Sequence, residues 1–210
     1  KLFWQKMGIE AVITGFLDPH INGTHFFIVL YDVQNDKVIQ RYVGPKLAEG
    51  DWQSPEGFYM VSGEQMNPRS RFHLSFNIGY PNGYDSERNR TGSAIMVHGR
   101  CVSQGCFAMG NEQIEEIYLL AYQAFLHGQE KFSIHIFPFR MTRMNLVKYR
   151  HSPWYRFWSN LATGYNAFEQ TRQVPTVSTA GGRYIVEDEK KEWIRKRWVL
   201  IQKQDDSLER

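Results

Sequence analysis

Cysteine is scarce in this chain, with two among 210 residues. That is too few for a disulfide-stapled scaffold, and a chain of this length can bury a core that needs no staples. Long apolar runs are also missing. No stretch approaches the ~18 residues that would cross a bilayer, so no membrane span is expected in this chain. Charge of one sign is not in excess either. The formal net charge is +3, without the clustered basic residues of a nucleic-acid binder; an acidic polymer or a carboxylate-bearing peptide remains compatible as partner. There is no internal repeat and no low-complexity linker. With 42% hydrophobic and 15% aromatic residues, the disordered and fibrous classes are excluded as well. The chain starts at Lys1 rather than at methionine, from which we expect a leader or anchor removed on export.

What is there reads first as strands. "IEAVITGF" (9–16) and "HFFIVLYDV" (25–33) are dense in β-branched and aromatic residues. "QND" then turns the chain into "KVIQRYV", making a hairpin. "GFYMVS", "RFHLSFNI", "SAIMVH" and "FSIHIFPF" continue the pattern, and the polar "SERNRTG" reads as a surface loop. One helix interrupts them. From Asn111, apolar residues fall at Ile114, Ile117, Tyr118, Ala121 and Phe125, while Glu112, Glu115 and Glu116 suit the positive end of its dipole. After residue 150 the texture changes. Ser152 offers a cap and Pro153 a first helical position, and Trp154, Phe157, Leu161, Tyr165 and Phe168 follow at helical spacing, read as core packing. "QVPTVS" ends that helix, "GGRYIV" reads as a short strand, and "EDEKKEWIRKRWVLIQKQ" as a charged final helix with a solvated basic face. The expected organisation is a β-rich α+β domain over residues 1–150 with a helical appendage, 151–210, packed on it.

"HGRCVSQGC", residues 98–106, gathers both cysteines and a histidine into nine positions. His98 ends an apolar strand, and Cys106 stands shortly before the helix. The steps between them would span ~27 Å if extended, so an imidazole–thiol contact requires the segment to fold back, a turn that Gly99 and Gly105 permit. A hydrogen-bonded imidazole activates a thiol that is otherwise mostly protonated at neutral pH. With no Asp or Glu in the nonapeptide, the group fixing its tautomer is a backbone carbonyl or a residue from elsewhere. Amides around Gly105 and Cys106 can serve as oxyanion donors. These are the ingredients of acyl transfer through a thioester. Three other readings use the same residues: a Cys101–Cys106 disulfide, a zinc site of His98, Cys101 and Cys106 with an imported fourth ligand, or a buried histidine with two inert thiols.

Longer stretches carry a resemblance. "IMVHG" followed by "SQGC" resembles the His-Gly and Ser-x-Gly-Cys signature of the L,D-transpeptidase catalytic domain family (YkuD-like), and "SPEGFYMV" resembles its Thr-Pro-x-Gly-x-Phe strand motif. "HGRCVSQGCFAM", with "NIGYPN" before it and "IFPFRMT" and "FWSNLATGYNAFEQTRQVPTV" after it, is similar to the YafK-like branch of that family. The resemblance implies an L,D-transpeptidase-like curved β-sheet or sandwich with a helix following the catalytic cysteine. It implies a periplasmic enzyme acting on peptidoglycan stem peptides at meso-diaminopimelate. Cys106 matches the nucleophile, His98 the base, and Gly99 the position whose carbonyl orients that base. Ser103 and Gly105 match the turn, with the amides of Gly105 and Cys106 as the oxyanion hole.

The branch implies hydrolysis, either release of murein lipoprotein from peptidoglycan or L,D-carboxypeptidase action. The alternatives are L,D-transpeptidation, or a non-catalytic cell-wall binding module. Gln104 stands where histidine is common and Ala108 where Arg or Asn is usual, departures that bear on cross-linking specificity. No cofactor and no metal are implied. A substrate with free carboxylates calls for a cation. Arg140 (in a branch motif), Arg100, Arg90 and Arg71 are candidates, while Tyr80, Asn82 and Ser103 are candidates for lining the cleft. Cys101, five residues from the nucleophile, is a candidate for redox control by pairing with it.

Overall fold

The computed structural model describes residues 54–101 and 105–187, and the course of three earlier strands, Ile9–Thr14 (β1), Phe27–Asp32 (β2) and Lys37–Val43 (β3). These three form an antiparallel meander, with Phe27 opposite Val43 and Asp32 opposite Lys37. The register shifts between Leu30 and Tyr31, which marks a bulge. Ser103 and the final segment with its basic face lie outside the described residues.

From residue 57 onward the strands are Gly57–Ser62 (β4), Met66–Asn67 (β5), Ser75–Asn77 (β6), Met96–His98 (β7), Phe107–Ala108 (β8), Lys131–Ile136 (β9), Val177–Ala180 (β10) and Arg183–Val186 (β11). Helices are Gly83–Glu87 (α1), Asn111–Leu126 (α2), Arg143–Lys148 (α3) and Tyr155–Thr171 (α4). The architecture is β-rich α+β, with a helix following Cys106. β4 pairs antiparallel with β9. Along β4, Tyr59 and Val61 are buried while Met60 is exposed, the period of two of a half-covered strand. β9 is buried continuously from Phe132 to Ile136, so it is covered on both faces. A second sheet runs in the order β5-β6-β7-β8, antiparallel except for the parallel pair β7–β8.

Two apolar clusters hold these parts together. In the first, Ile114 and Ile117 of α2 pack with Phe76, Val97, Phe107 and Ile134. Burying each such side chain stabilises by about 1.5–3 kcal/mol, and the cluster fixes β7 and β8, the strands flanking the nonapeptide. The second joins Tyr84 of α1, Phe137 and Phe139 after β9, Leu161 of α4 and Tyr184 of β11.

Several expectations need correction. "RFHLSFNI" is a strand only over Ser75–Asn77, because His73 has φ +76 and turns the chain before it. "SAIMVH" is a strand only from Met96, because Ala94 has φ +60. "SERNRTG" is not all surface loop. Ser86 and Glu87 belong to α1, and Arg90 bonds the buried Asp85 at 2.9 Å. α4 starts at Tyr155 rather than at Pro153, since the Ser152 hydroxyl accepts the Trp154 N–H at 3.2 Å and closes a turn ahead of the helix. α3 and β10 were not expected, and neither is long enough to display a period.

Candidate active site

β7 ends on His98, and β8 begins one residue after Cys106. The two strands are parallel, with Val97 opposite Phe107 and His98 opposite Ala108. The chain therefore leaves His98 and returns to run in the same direction beside it. Arg100 at φ +62 and Gly105 at φ +79 make this reversal in the left-handed region, which glycine enters without steric cost. Gly99 is required for a different reason. A Cβ there would lie 2.7 Å from the Phe72 carbonyl and 2.8 Å from the Asn111 side chain. The return brings the sulfur of Cys106 against β7. The Met96 N–H donates to Sγ at 3.4 Å, and the thiol donates to the Ala94 carbonyl at 3.5 Å. Cys101 is exposed and Cys106 half-buried, and both carry thiols rather than a disulfide.

His98 is buried against the ring of Phe72, with centroids 4.7 Å apart. Its Nδ1 lies 2.6 Å from the Gly99 carbonyl oxygen. A carbonyl only accepts, so Nδ1 carries the proton and Nε2 keeps its lone pair. Burial holds the imidazole below its usual pKa, the Gly99 bond opposing this in part. The ring is thus neutral at physiological pH, the form a base requires. Ser54 adds a constraint on the other side. Its hydroxyl donates to the Gly105 carbonyl at 3.0 Å. Because the peptide unit is planar and trans, this also fixes the opposite direction in which the Cys106 N–H points.

Cys106 and Gly105 open on a cavity of about 510 Å³, whose wall also includes Ser54, Glu56, Tyr80 and Arg90. α4 supplies Phe157 and Trp158 to the same wall, and Trp154 joins them from just ahead of the helix. The aromatic helix therefore does both jobs, with Leu161 and Phe168 buried in the core and its first turns facing the cavity. Tyr80 donates its hydroxyl to the Thr91 carbonyl at 3.1 Å. Arg90 is held by Asp85, which is fully buried and also accepts from the Tyr59 hydroxyl at 2.9 Å and the Asn82 N–H at 3.1 Å. Glu56 Oε2 accepts the Trp158 indole N–H at 2.7 Å. Burial pushes the Glu56 carboxyl up to about 7, against the opposing effects of the Trp158 bond and the Arg90 charge.

The other candidates lie elsewhere. Asn82 caps α1, accepting the Asp85 N–H at 3.0 Å and donating to the Phe58 carbonyl at 2.8 Å and the Tyr184 hydroxyl at 2.9 Å. Arg140 is exposed, and its carbonyl accepts from Thr142 N–H at 2.7 Å and Asn145 Nδ2 at 2.8 Å, anchoring α3. Arg100 is exposed, its N–H on the Asn111 side chain at 2.9 Å. Arg71 is exposed as well, so of the four candidate arginines it is Arg90 that lines the cavity. Among the described residues no three His, Cys, Asp or Glu side chains are close enough to hold a metal ion. Sequence reasoning missed Ser54, Glu56, Asp85 and Trp158. The local signal for the first two was their place in "SPEG", read only as a strand motif.

The profile of the L,D-transpeptidase catalytic domain family, YkuD, matches residues 20–136. The chain is similar to YafK of Escherichia coli (strain K12), a candidate L,D-transpeptidase, at 46% identity over 144 residues, 69% of this chain and 58% of YafK. It thus spans less than two thirds of the length of the curated relatives it matches. Among solved structures it is similar to the helical cell shape determining protein Pgp2 from Campylobacter jejuni, at 17% identity and a TM-score of 0.44, covering 76% of this chain and 57% of that one. It is also similar to Bd1075 of Bdellovibrio bacteriovorus, at 18% identity and a TM-score of 0.42, covering 81% of this chain and 77% of that one.

Proposed function

The chain belongs to the L,D-transpeptidase catalytic domain family, and from that premise we propose that it is a periplasmic cysteine acyl-enzyme that hydrolyses peptidoglycan stem peptides at meso-diaminopimelate. Cys106 Sγ attacks the diaminopimelate carbonyl while His98 Nε2 takes the thiol proton. The amides of Gly105 and Cys106 receive the oxyanion. The tetrahedral intermediate collapses to a thioester, and the imidazolium returns its proton to the leaving amine. Water, deprotonated by His98, then releases the acid and regenerates the thiol. The observation that carries this reading is the His98 Nδ1 bond to Gly99 O at 2.6 Å, at the end of the strand whose Met96 N–H donates to the Cys106 sulfur. The leaving amine is that of murein lipoprotein or of a terminal amino acid, as the resemblance to the YafK-like branch suggests. Residues 151–210 act as an appendage packed on the catalytic domain, 1–150.

A second reading, transfer of the same acyl group to an amine, is favoured by the designation of YafK as a candidate L,D-transpeptidase. Intact mass spectrometry after mixing with a carbapenem, and separately with stem peptides, distinguishes them. An adduct lost in Cys106→Ala, with peptide shortened in water, supports hydrolysis. Cross-linked peptide supports transpeptidation. Absence of both adduct and turnover leaves a non-catalytic cell-wall binding module.

A further inference from the structure

The cavity holds more charge than the thioester chemistry uses. Glu56 and Arg90 have no part in moving a proton between His98 and Cys106, yet both line the cavity with the thiol. Arg90 is fixed in place, one of its five N–H donors committed to Asp85 at 2.9 Å and its guanidinium 5.4 Å from the ring centroids of Tyr84 and Phe157. Glu56 is braced from behind by the Trp158 indole at 2.7 Å. A carboxyl sunk against an aromatic wall ionises only at a cost, unless a cation arrives beside it. The two side chains are thus receptors of opposite sign in one concavity. Its volume of about 510 Å³ lies within the range of small-ligand sites and leaves room for a reacting carbonyl as well.

We propose that Glu56 and Arg90 form a subsite beside Cys106 for a zwitterionic α-amino-acid end group, Glu56 receiving its ammonium and Arg90 its carboxylate. This rests on, and deepens, the reading above, because the distal centre of unsubstituted diaminopimelate is such a group. Trp154, 56% exposed on the cavity wall, offers an apolar face to the methylene chain between the two centres. Below about pH 7 the Glu56 carboxyl is protonated in the empty cavity. It releases that proton to solvent as the ammonium docks, and affinity therefore rises with pH toward neutrality.

The test is calorimetric binding to the Cys106→Ala chain, which cannot turn over its ligand. The probes are a stem tripeptide ending in meso-diaminopimelate, the same peptide acetylated on the distal amine, and the same peptide amidated on the distal carboxyl. Each cap is expected to weaken binding by about tenfold or more. Adding Glu56→Gln, which keeps an acceptor for Trp158, is expected to abolish discrimination against the acetylated probe while keeping that against the amide. At pH 6 the binding heat is expected to vary with buffer ionisation enthalpy in Cys106→Ala and not in the double variant. Equal binding of all three probes, or no binding of any, overturns the subsite, and the probes decide even if Glu56→Gln fails to fold. Discrimination by a wild-type protein that neither acylates nor cleaves retains the subsite and sinks the proposed activity. Cleavage without discrimination does the reverse.

Discussion

The tautomer of His98 decides where its protons travel. With Nδ1 committed to the Gly99 carbonyl at 2.6 Å, the outer nitrogen is the one that trades protons. Burial depresses the imidazole below its usual 6.5, and only the neutral ring can accept the thiol proton. The acid limb of kcat/KM, or of the carbapenem acylation rate, is therefore expected below pH 6.5. His98→Gln is expected to lower that rate by about 10²–10⁴ and to remove the limb. A limb at or above pH 6.5 would show a solvated imidazole instead. His98, Gly99 and Cys106 were legible in the sequence because they stand within nine residues of each other. Glu56 was not, because what brings it to the site, Trp158, lies 102 positions away. Asp85 was not singled out in the sequence, and Arg90, one of the four candidate cations, was read inside a surface loop. The Tyr59 hydroxyl that helps to bury their pair is contributed by β4.

α4 approaches β4 through a gap left by one missing methyl group. A Cβ on Gly164 would lie 2.5 Å from the Phe58 ring. That ring is boxed by His135, Phe137 and Tyr184, with centroids 4.9, 5.7 and 5.0 Å away, so it has nowhere to go. Gly164→Ala is expected to destabilise by about 1–3 kcal/mol through overpacking, although alanine favours an exposed helix by about 1 kcal/mol. Denaturant unfolding measures the sign, and a gain in stability would mean that α4 can shift away from Phe58. Element length governs how well the fold was anticipated. α2 spans 16 residues and β4 alternates over six, enough to show their periods. α1 spans five residues, and its stability comes from the Asn82 cap and from Tyr84 in the second core rather than from a repeating pattern. The parallel pairing of β7 and β8 was not legible either. It is set by the core beneath them, not by either two- or three-residue strand alone.

Two buried groups oppose each other in the stability of the whole molecule. Burial lowers His135 to about 4, and its Nδ1 has no hydrogen-bond partner among the described residues. As pH falls below 6.5 the unfolded chain binds a proton that the fold refuses, so stability drops until about pH 4; the lowered His98 acts in the same direction. Glu56 runs the other way. Raised from 4.5 to about 7, it keeps a proton that the unfolded chain releases, so its contribution is lost as pH rises across that window. His135→Leu is expected to leave a fold that weakens from pH 4.5 to 7, and Glu56→Gln one that weakens more steeply toward acid. Each variant should differ from wild type across the window by about 2–3 kcal/mol, measured by denaturant unfolding. Identical slopes in all three proteins would sink the assignment. The hydrogen bond from Trp158 to Glu56 has one more consequence. Indole emission responds to charge beside the ring, so the protein carries an internal optical probe. Its unlabelled fluorescence follows the ionisation of the cavity carboxyl, and any ligand that changes that ionisation becomes visible in a cuvette.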